Sequence, residues 1–69
     1  MDIVECLSGF AYAERPTALI WEDQRLEIGA ILSAWQTPGE RHFRVQTCDR
    51  RTFELTWREL AGEWQIQPL

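Results

Sequence analysis

The sequence predicts an all-β fold: a single small antiparallel meander of about six strands, closed or half-closed into a barrel, with room for one short helical turn. Two observations predict it. Six short segments are either wholly apolar or alternate between apolar and polar residues, and short turn-like links separate them. The length of 69 residues allows one domain, residues 1–69, near the lower limit for independent folding. Closure into a barrel also protects exposed strand edges.

The clearest element is a hairpin over residues 41–57. Phe43 and Val45 share one face of its first arm, and Phe53 and Leu55 share one face of its second arm. Polar residues 48–51 separate the arms, as a hairpin turn requires.

The polarity of the two arms also predicts the register of this hairpin. The favoured register leaves residues 48–50 as the loop and pairs Val45 with Phe53, Phe43 with Leu55 and Arg44 with Glu54. A shift by two residues opposes Gln46 to Glu54 and loses an ion pair, which contributes roughly 0.2–1 kcal/mol across strands. A shift by one residue puts the apolar side chains of one arm into water.

The N-terminal part predicts two strands. Residues 3–13 fit a strand with a bend or bulge at Gly9, and a short helix over residues 2–8 is the alternative. Pro16 indicates a turn into a new strand. Thr17–Trp21 is apolar on both faces, which is typical of a central strand.

Residues 22–24 predict a tight turn into a long strand over residues 25–35. Gly29 interrupts the alternation, and Ile31, Ser33 and Trp35 then share one parity. A bulge at Gly29 explains this change and lets one strand serve two walls of a barrel. A helix over residues 26–35 is the alternative, although Gly29 disfavours it.

Two further turns complete the chain. Residues 36–40 carry Pro and Gly at the central positions of a type II turn. Gly62 suits the left-handed residue after a type I turn, or the end of one helical turn. The last strand, residues 63–67, then directs Trp64 and Ile66 to the core, and Pro68 ends the pairing.

Charge and cysteine usage narrow the functional class. Residues 1–40 hold two arginines against seven acids, a net −5, and residues 41–69 hold five arginines against four acids, a net +1. The net charge of −4 argues against nucleic-acid binding as the main function, because nonspecific binding to phosphates needs a positive potential. Cys6 and Cys48 form neither a disulfide framework nor a zinc motif, so we expect a reduced, cytoplasmic protein without metal or cofactor. The N-terminus lacks the basic start of a signal peptide, and no apolar run is long enough to span a membrane.

Catalytic motifs are absent from the sequence. His42 has no evident nucleophile beside it. Cys48 stands next to Asp49 and Arg50, and a nearby arginine is able to make a thiol reactive, but a turn cysteine is more often incidental. The sequence therefore predicts no enzyme.

The polar face of the hairpin is the candidate binding surface, formed by His42, Arg44, Arg50, Arg51 and Arg58. Small barrels bind single-stranded nucleic acid by stacking bases on aromatics beside cations. Here the hairpin aromatics share the apolar parity, so we expect these cations to lack stacking platforms. The four tryptophans either build the core or line a peptide-binding groove; they are Trp21, Trp35, Trp57 and Trp64.

A scattered pattern over residues 15–66 resembles a family of small bacterial β domains of unknown function. It comprises Arg15-Pro16, Ile20-Trp21, Gly29-x-Ile31, Trp35, Pro38-Gly39-Glu40, Phe43-Arg44-Val45, Phe53-Glu54-Leu55 and Gly62-x-Trp64. Members of that family occur alone or beside error-prone DNA-repair polymerases. The resemblance implies the fold and supplies no catalytic residues, and this chain lacks the strongly basic loop of the family.

Together these observations predict a non-enzymatic, cytoplasmic interaction module that binds a protein partner or itself. The alternative is an accessory nucleic-acid-binding module linked to DNA repair, which would use the arginines of the candidate binding surface.

Overall fold

A computed structural model describes residues 2–7 and 15–69 and confirms the all-β prediction. The strands are β1 (Ile3–Cys6), β2 (Pro16–Trp21), β3 (Gln24–Thr37), β4 (Glu40–Thr47), β5 (Thr52–Arg58) and β6 (Glu63–Pro68). These residues contain no helix, so the helical alternatives for residues 2–7 and 26–35 are wrong. In particular, none of them forms a helix that could cross a membrane. The predicted bend at Gly9 lies outside the described residues.

The six strands form one antiparallel meander in the order β1-β2-β3-β4-β5-β6. The sheet curls until its two ends meet at one point. There Asp2 forms an isolated bridge with Trp64, and the Asp2 carboxylate accepts a hydrogen bond of 2.7 Å from the Ile66 amide. The result is a curled half-barrel.

Strand β3 serves two walls, as predicted. Its first residues pair with β2 as far as Glu27, and the remainder pairs with β4. Ile28 lies opposite Thr47 and Ala30 opposite Gln46, which leaves Gly29 as the extra residue of a bulge.

A second bulge in β3 lies at Leu32, where the sequence predicts none. Ile31 lies opposite Val45 and Ser33 opposite Arg44, so Leu32 has no partner of its own. This extra residue reverses the alternation. Ile31 stays on the core side, whereas Ser33 and Trp35 turn to the outer face. The expectation that these three residues share one face of the strand is therefore wrong.

The β4–β5 hairpin has the favoured register, with Arg44 opposite Glu54. The Thr47 amide donates to the Arg51 carbonyl at 2.8 Å, and the Arg50 amide donates to the Thr47 carbonyl at 2.9 Å. Arg50 has a φ of 69°. This is the three-residue loop in which a left-handed residue follows a type I turn.

The other hairpin loops differ in how well their residues suit the backbone. Pro38-Gly39 forms a two-residue loop between Thr37 and Glu40, and the Gly39 φ of 77° fits the predicted type II turn. Glu22 and Asp23 form the β2–β3 loop with φ values of 50° and 65°. Two positive φ values define a type I′ turn, which strongly favours Asn-Gly.

The β5–β6 loop closes with an i to i+4 hydrogen bond, from the Gly62 amide to the Arg58 carbonyl at 2.8 Å. Gly62 is left-handed, with a φ of 65°, and β6 pairs back on β5 as predicted. The strand and its register end at Pro68, as predicted. Pro68 lies opposite Phe53, and the Leu69 amide donates to the Thr52 carbonyl at 3.0 Å.

The core lies inside the curl of the sheet. Its buried members are Val4, Cys6, Leu19, Phe43, Val45, Phe53, Leu55, Trp64 and Ile66. Trp21 and Trp57 are partly buried against it, and Trp57 packs 5.3 Å from Trp64 between ring centroids. Three tryptophans are therefore core residues, and Trp35 is the exception.

One arginine forms ion pairs across the outer face of the wall that consists of β1, β2 and the start of β3. The Arg25 guanidinium contacts the Glu5 carboxylate at 2.9 Å and the Glu27 carboxylate at 3.3 Å. These two glutamates flank Ala18 in the register of β1, β2 and β3. The ion pairs therefore link β1 to β3 across the fully buried Ala18.

The type I′ turn generates a stability prediction. Replacing Glu22 by Asn and Asp23 by Gly should raise the free energy of unfolding by about 1 kcal/mol, because both new residues tolerate positive φ. Chemical denaturation measures this change. As a control, Gly39→Ala should lower it by about 1 kcal/mol, since an added Cβ at Gly39 meets no atom within 4 Å and only the backbone is strained. An unchanged or less stable turn variant would contradict the assignment.

Candidate binding surface

His42 lies at the centre of the outer face of β3, β4 and β5. Its ring stacks on Trp35 with centroids 5.2 Å apart and planes within 8°. Its Nε2 lies 2.8 Å from the Thr37 hydroxyl, and its Nδ1 lies 3.2 Å from the Thr56 hydroxyl. The imidazole side chain is only 12% exposed. Both ring nitrogens are engaged, so His42 orders this face of the sheet.

Arg44 lies beside the same tryptophan. Its guanidinium carbon is 5.9 Å from the Trp35 ring centroid, within cation–π range. Its Nη2 also contacts Glu54 at 3.3 Å. The expectation that the cations lack a stacking platform is therefore wrong, because the Leu32 bulge brings Trp35, 37% exposed, to the outer face.

Arg58 lies at the end of β5, next to the β3–β4 turn. Its guanidinium is 3.7 Å from the Glu40 carboxylate and 3.9 Å from the Glu63 carboxylate. Glu40 also lies 3.5 Å from His42 Nε2. Arg58 therefore shares with His42 and Arg44 an outer face on which each arginine has an acidic neighbour.

Arg50 and Arg51 lie at the opposite end of the hairpin. Glu40 and Thr47 are seven residue steps apart along β4, a span of about 23 Å at 3.3 Å per residue. The structure thus splits the five predicted residues into an outer-face group of three and a pair at the tip. Within the described residues, Arg50 forms no ion pair, and Arg51 contacts Asp49 at 2.9 Å.

The tip is held by a small network around Asp49. The Thr47 hydroxyl donates to one carboxylate oxygen of Asp49, and Arg51 contacts the other. First the Thr47 hydrogen bond and then the Arg51 guanidinium lower the pKa of Asp49 below its ordinary value. Arg51 is therefore explained as a residue that stabilises the hairpin loop.

The side chains considered from the sequence for catalysis or metal binding, His42, Cys6 and Cys48, all lie in the described part of the chain. No group of three or more His, Cys, Asp or Glu residues there is arranged to hold a metal ion. Cys6 is a buried free thiol and Cys48 an exposed one. A shallow pocket of about 380 Å³ lies beside His42, and Cys48 does not line it.

Strand β3 also presents an open edge, defined as its side facing away from β4 over residues 30–37. Strand β2 pairs with β3 only as far as Glu27, so within residues 2–7 and 15–69 no strand covers this edge. Leu32 is 53% exposed there. The shallow pocket borders this part of β3 and extends onto β4, with residues 34–36 and 41–43 in its lining.

The phase of the ladder shows which backbone groups the open edge offers. The Thr47 amide bonds across to β5, so odd residues of β4 bond to β5 and even residues bond to β3. Trp35 and Thr37 lie opposite the even residues His42 and Glu40. Their backbone groups are therefore used, and those of the intervening residues 34 and 36 point outward.

Strand β6 has the opposite kind of edge. The Leu69 amide bonds to β5, so residues 64, 66 and 68 point their backbone groups outward. Trp64 is bridged to Asp2, the Ile66 amide is bonded to the Asp2 carboxylate, and Pro68 has no amide hydrogen. Every outward donor of β6 between residues 64 and 68 is thus bonded or absent.

The sequence reasoning missed the open edge, although the sequence holds a signal for it. Residues 28–36 form nine consecutive positions without a charge. Natural edge strands are usually protected by charged side chains or proline. An uncharged segment in a strand that extends beyond the end of a neighbouring strand is therefore a signal for an interaction edge.

Comparison with protein-family models, curated proteins and solved structures gave no match to this chain. The resemblance to small bacterial β domains therefore stays a prediction.

The Asp49 network predicts a pH dependence. Because folding lowers the Asp49 pKa, the ionised carboxylate stabilises the fold above the ordinary aspartate pKa of about 3.9, and this contribution is lost as the pH falls through the lowered value. Asp49→Asn should therefore be less stable than the native chain near neutral pH and should match it in strong acid. Thermal unfolding at a series of pH values measures this difference. Arg51→Gln should retain more of the pH dependence, since the Thr47 bond is the larger cause, and equal loss in both variants would contradict this order.

Proposed function

We propose that this protein is a non-enzymatic interaction module that binds another polypeptide strand at the open edge of β3. The single observation that carries the proposal is the contrast between the two long edges. The β6 edge has its outward donors bonded to Asp2 or removed by proline, whereas residues 34 and 36 offer unpaired donors and acceptors within the described structure.

Strand addition uses backbone hydrogen bonds for affinity and neighbouring side-chain sites for specificity. The open edge has both requirements. Trp35 and Leu32 supply exposed apolar area beside the free backbone groups, and the shallow pocket reaches from Trp35 to Arg41. Two bulges bend the edge, which restricts regular pairing to the segment after Leu32.

The proposed location is the cytoplasm. Cys6 and Cys48 are both free thiols, which suits a reducing compartment. The bacterial origin rests on the resemblance alone.

A selection of displayed random peptides against the purified protein tests the edge. Selected peptides should bind with micromolar affinity, and Gln36→Pro should weaken them by at least about tenfold, because proline removes one outward amide without touching the β4 ladder. Gln36→Thr keeps that amide and is the matched control. Thermal unfolding verifies that both variants fold.

Equal binding to native protein and Gln36→Pro would overturn the edge as the site. A selection that yields no binding peptide would count against the whole proposal.

A second candidate function is binding of single-stranded nucleic acid at Trp35 and Arg44. Its support is the exposed indole beside a guanidinium, the combination on which single strands stack. Glu54 and the net charge of −4 oppose it. An accessory role in DNA repair would follow from such binding together with the resemblance.

Fluorescence anisotropy with a labelled oligonucleotide at low salt tests this second candidate. Trp35→Ala and Arg44→Ala should each weaken binding by at least about fivefold, in line with roughly 1–3 kcal/mol per stacked base. Arg51→Gln, at the distant tip, is the control and should have little effect. The absence of binding by the native protein at micromolar concentration would end this candidate.

A further inference from the structure

We propose that the strand received by the open edge is the same edge of a second copy, so that the protein forms a two-fold symmetric dimer through β3. This inference rests on the proposed function, since it names the partner of the same site. A two-fold interface places the same surface on both subunits, so that surface must be complementary to itself.

The geometry of β3 selects one register. Pairing is regular only after the Leu32 bulge and before the turn at Pro38, which leaves Ser33 to Thr37. The centre of this segment is Trp35. A two-fold axis at Trp35 pairs Ser33 with Thr37 and Ala34 with Gln36 of the other copy.

The hydrogen-bonding phase agrees with this register. Residues 34 and 36 are the ones whose backbone groups point outward, and the register places residue 34 of each copy opposite residue 36 of the other. Two such pairs exchange four backbone hydrogen bonds around the axis. A register shifted by one residue would oppose outward groups to groups already bonded to β4.

The side chains agree as well. On the outer face, Trp35 lies opposite Trp35 of the second copy in the non-hydrogen-bonded pair, where side chains are closest. Aromatic pairs contribute roughly 0.5–1.5 kcal/mol beyond the area that they bury. Residues 28–36 carry no charge, so the self-pairing brings no like charges together along the strand.

Charge complementarity extends beyond the paired strands. Residues that lie directly opposite one another on β3, β4 and β5 form rows across the sheet. The row through Ser33 contains Arg44 and Glu54, and the row through Thr37 contains Glu40 and Arg58. Pairing Ser33 with Thr37 joins these rows end to end. Arg44 of one copy then faces Glu40 of the other across three strand spacings, about 14 Å between Cα atoms, and the charges alternate along the whole row.

Disulfide trapping tests the dimer and its register in one experiment. In a Cys48→Ser background, Trp35→Cys places two thiols directly opposite each other, within the Cα separation of 4.4–6.8 Å that disulfides require, so about tenfold more covalent dimer should form than with Ser33→Cys. Ser33 lies on the same face, but in this register the Ser33 residues of the two copies are offset by four residues along the strands. A 1:1 mixture of Ala34→Cys and Gln36→Cys should give a covalent heterodimer, which tests the register without removing Trp35.

Sedimentation of the native chain completes the test. The mass should rise from 8.1 kDa towards twice that value as concentration increases, and Gln36→Pro should remain at 8.1 kDa while Gln36→Thr behaves like the native chain. A native monomer at all concentrations, or preferential trapping through Ser33→Cys, overturns the dimer. If peptides nevertheless bind the native edge and not Gln36→Pro, the dimer fails while the proposed function stands; if they do not, both fail.

Discussion

The shape of the sheet and the composition of its outer face depend on which residues of β3 pair with β4. Two residues of β3, Gly29 and Leu32, have no partner on β4, and each reverses which side chains face the core. The first bulge lies where β3 leaves β2 and joins the second wall. It puts Ile31 on the core side, opposite Val45. The second puts Ala34 on the side of Phe43 and sends Trp35 outward, where it stacks on His42. Without that second reversal, the indole would face the core and His42 would lose its stacking partner.

The sequence predicted the parts of the fold that follow from local pattern. Alternation with period two located the β4–β5 hairpin, and the Arg44–Glu54 pair favoured its register correctly. Gly29 was a visible interruption, so the first bulge was predictable. Leu32 was not, because an apolar residue among apolar residues leaves no mark on the pattern, and its effect appears only when the pairing with β4 is known.

The candidate surface shows the same limit. The sequence identified His42, Arg44 and Arg58 as residues of one outer face, and they do share it. It also added Arg50 and Arg51, which the length of the hairpin carries to the opposite end. Their neighbours explain the tip as a structural network, since Asp49 is bonded to both Thr47 and Arg51. The sequence left open whether Trp35 builds the core or lines a groove, because nothing in its pattern marks the second bulge.

The clasp between Asp2 and β6 has a consequence for the order in which the structure forms and opens. All other strand pairs join neighbours in the chain, so they close short loops, whereas the Asp2 carboxylate and the Ile66 amide are 64 residues apart. Loop-closure entropy grows with separation, so this contact forms after the meander is in place. It is also held by a single bridge and one side-chain hydrogen bond, which makes it an early contact to open in local fluctuations. A molecule in which these contacts are open would expose the backbone groups of β6 as a second unpaired strand edge, and unpaired edges are sites of strand-to-strand association.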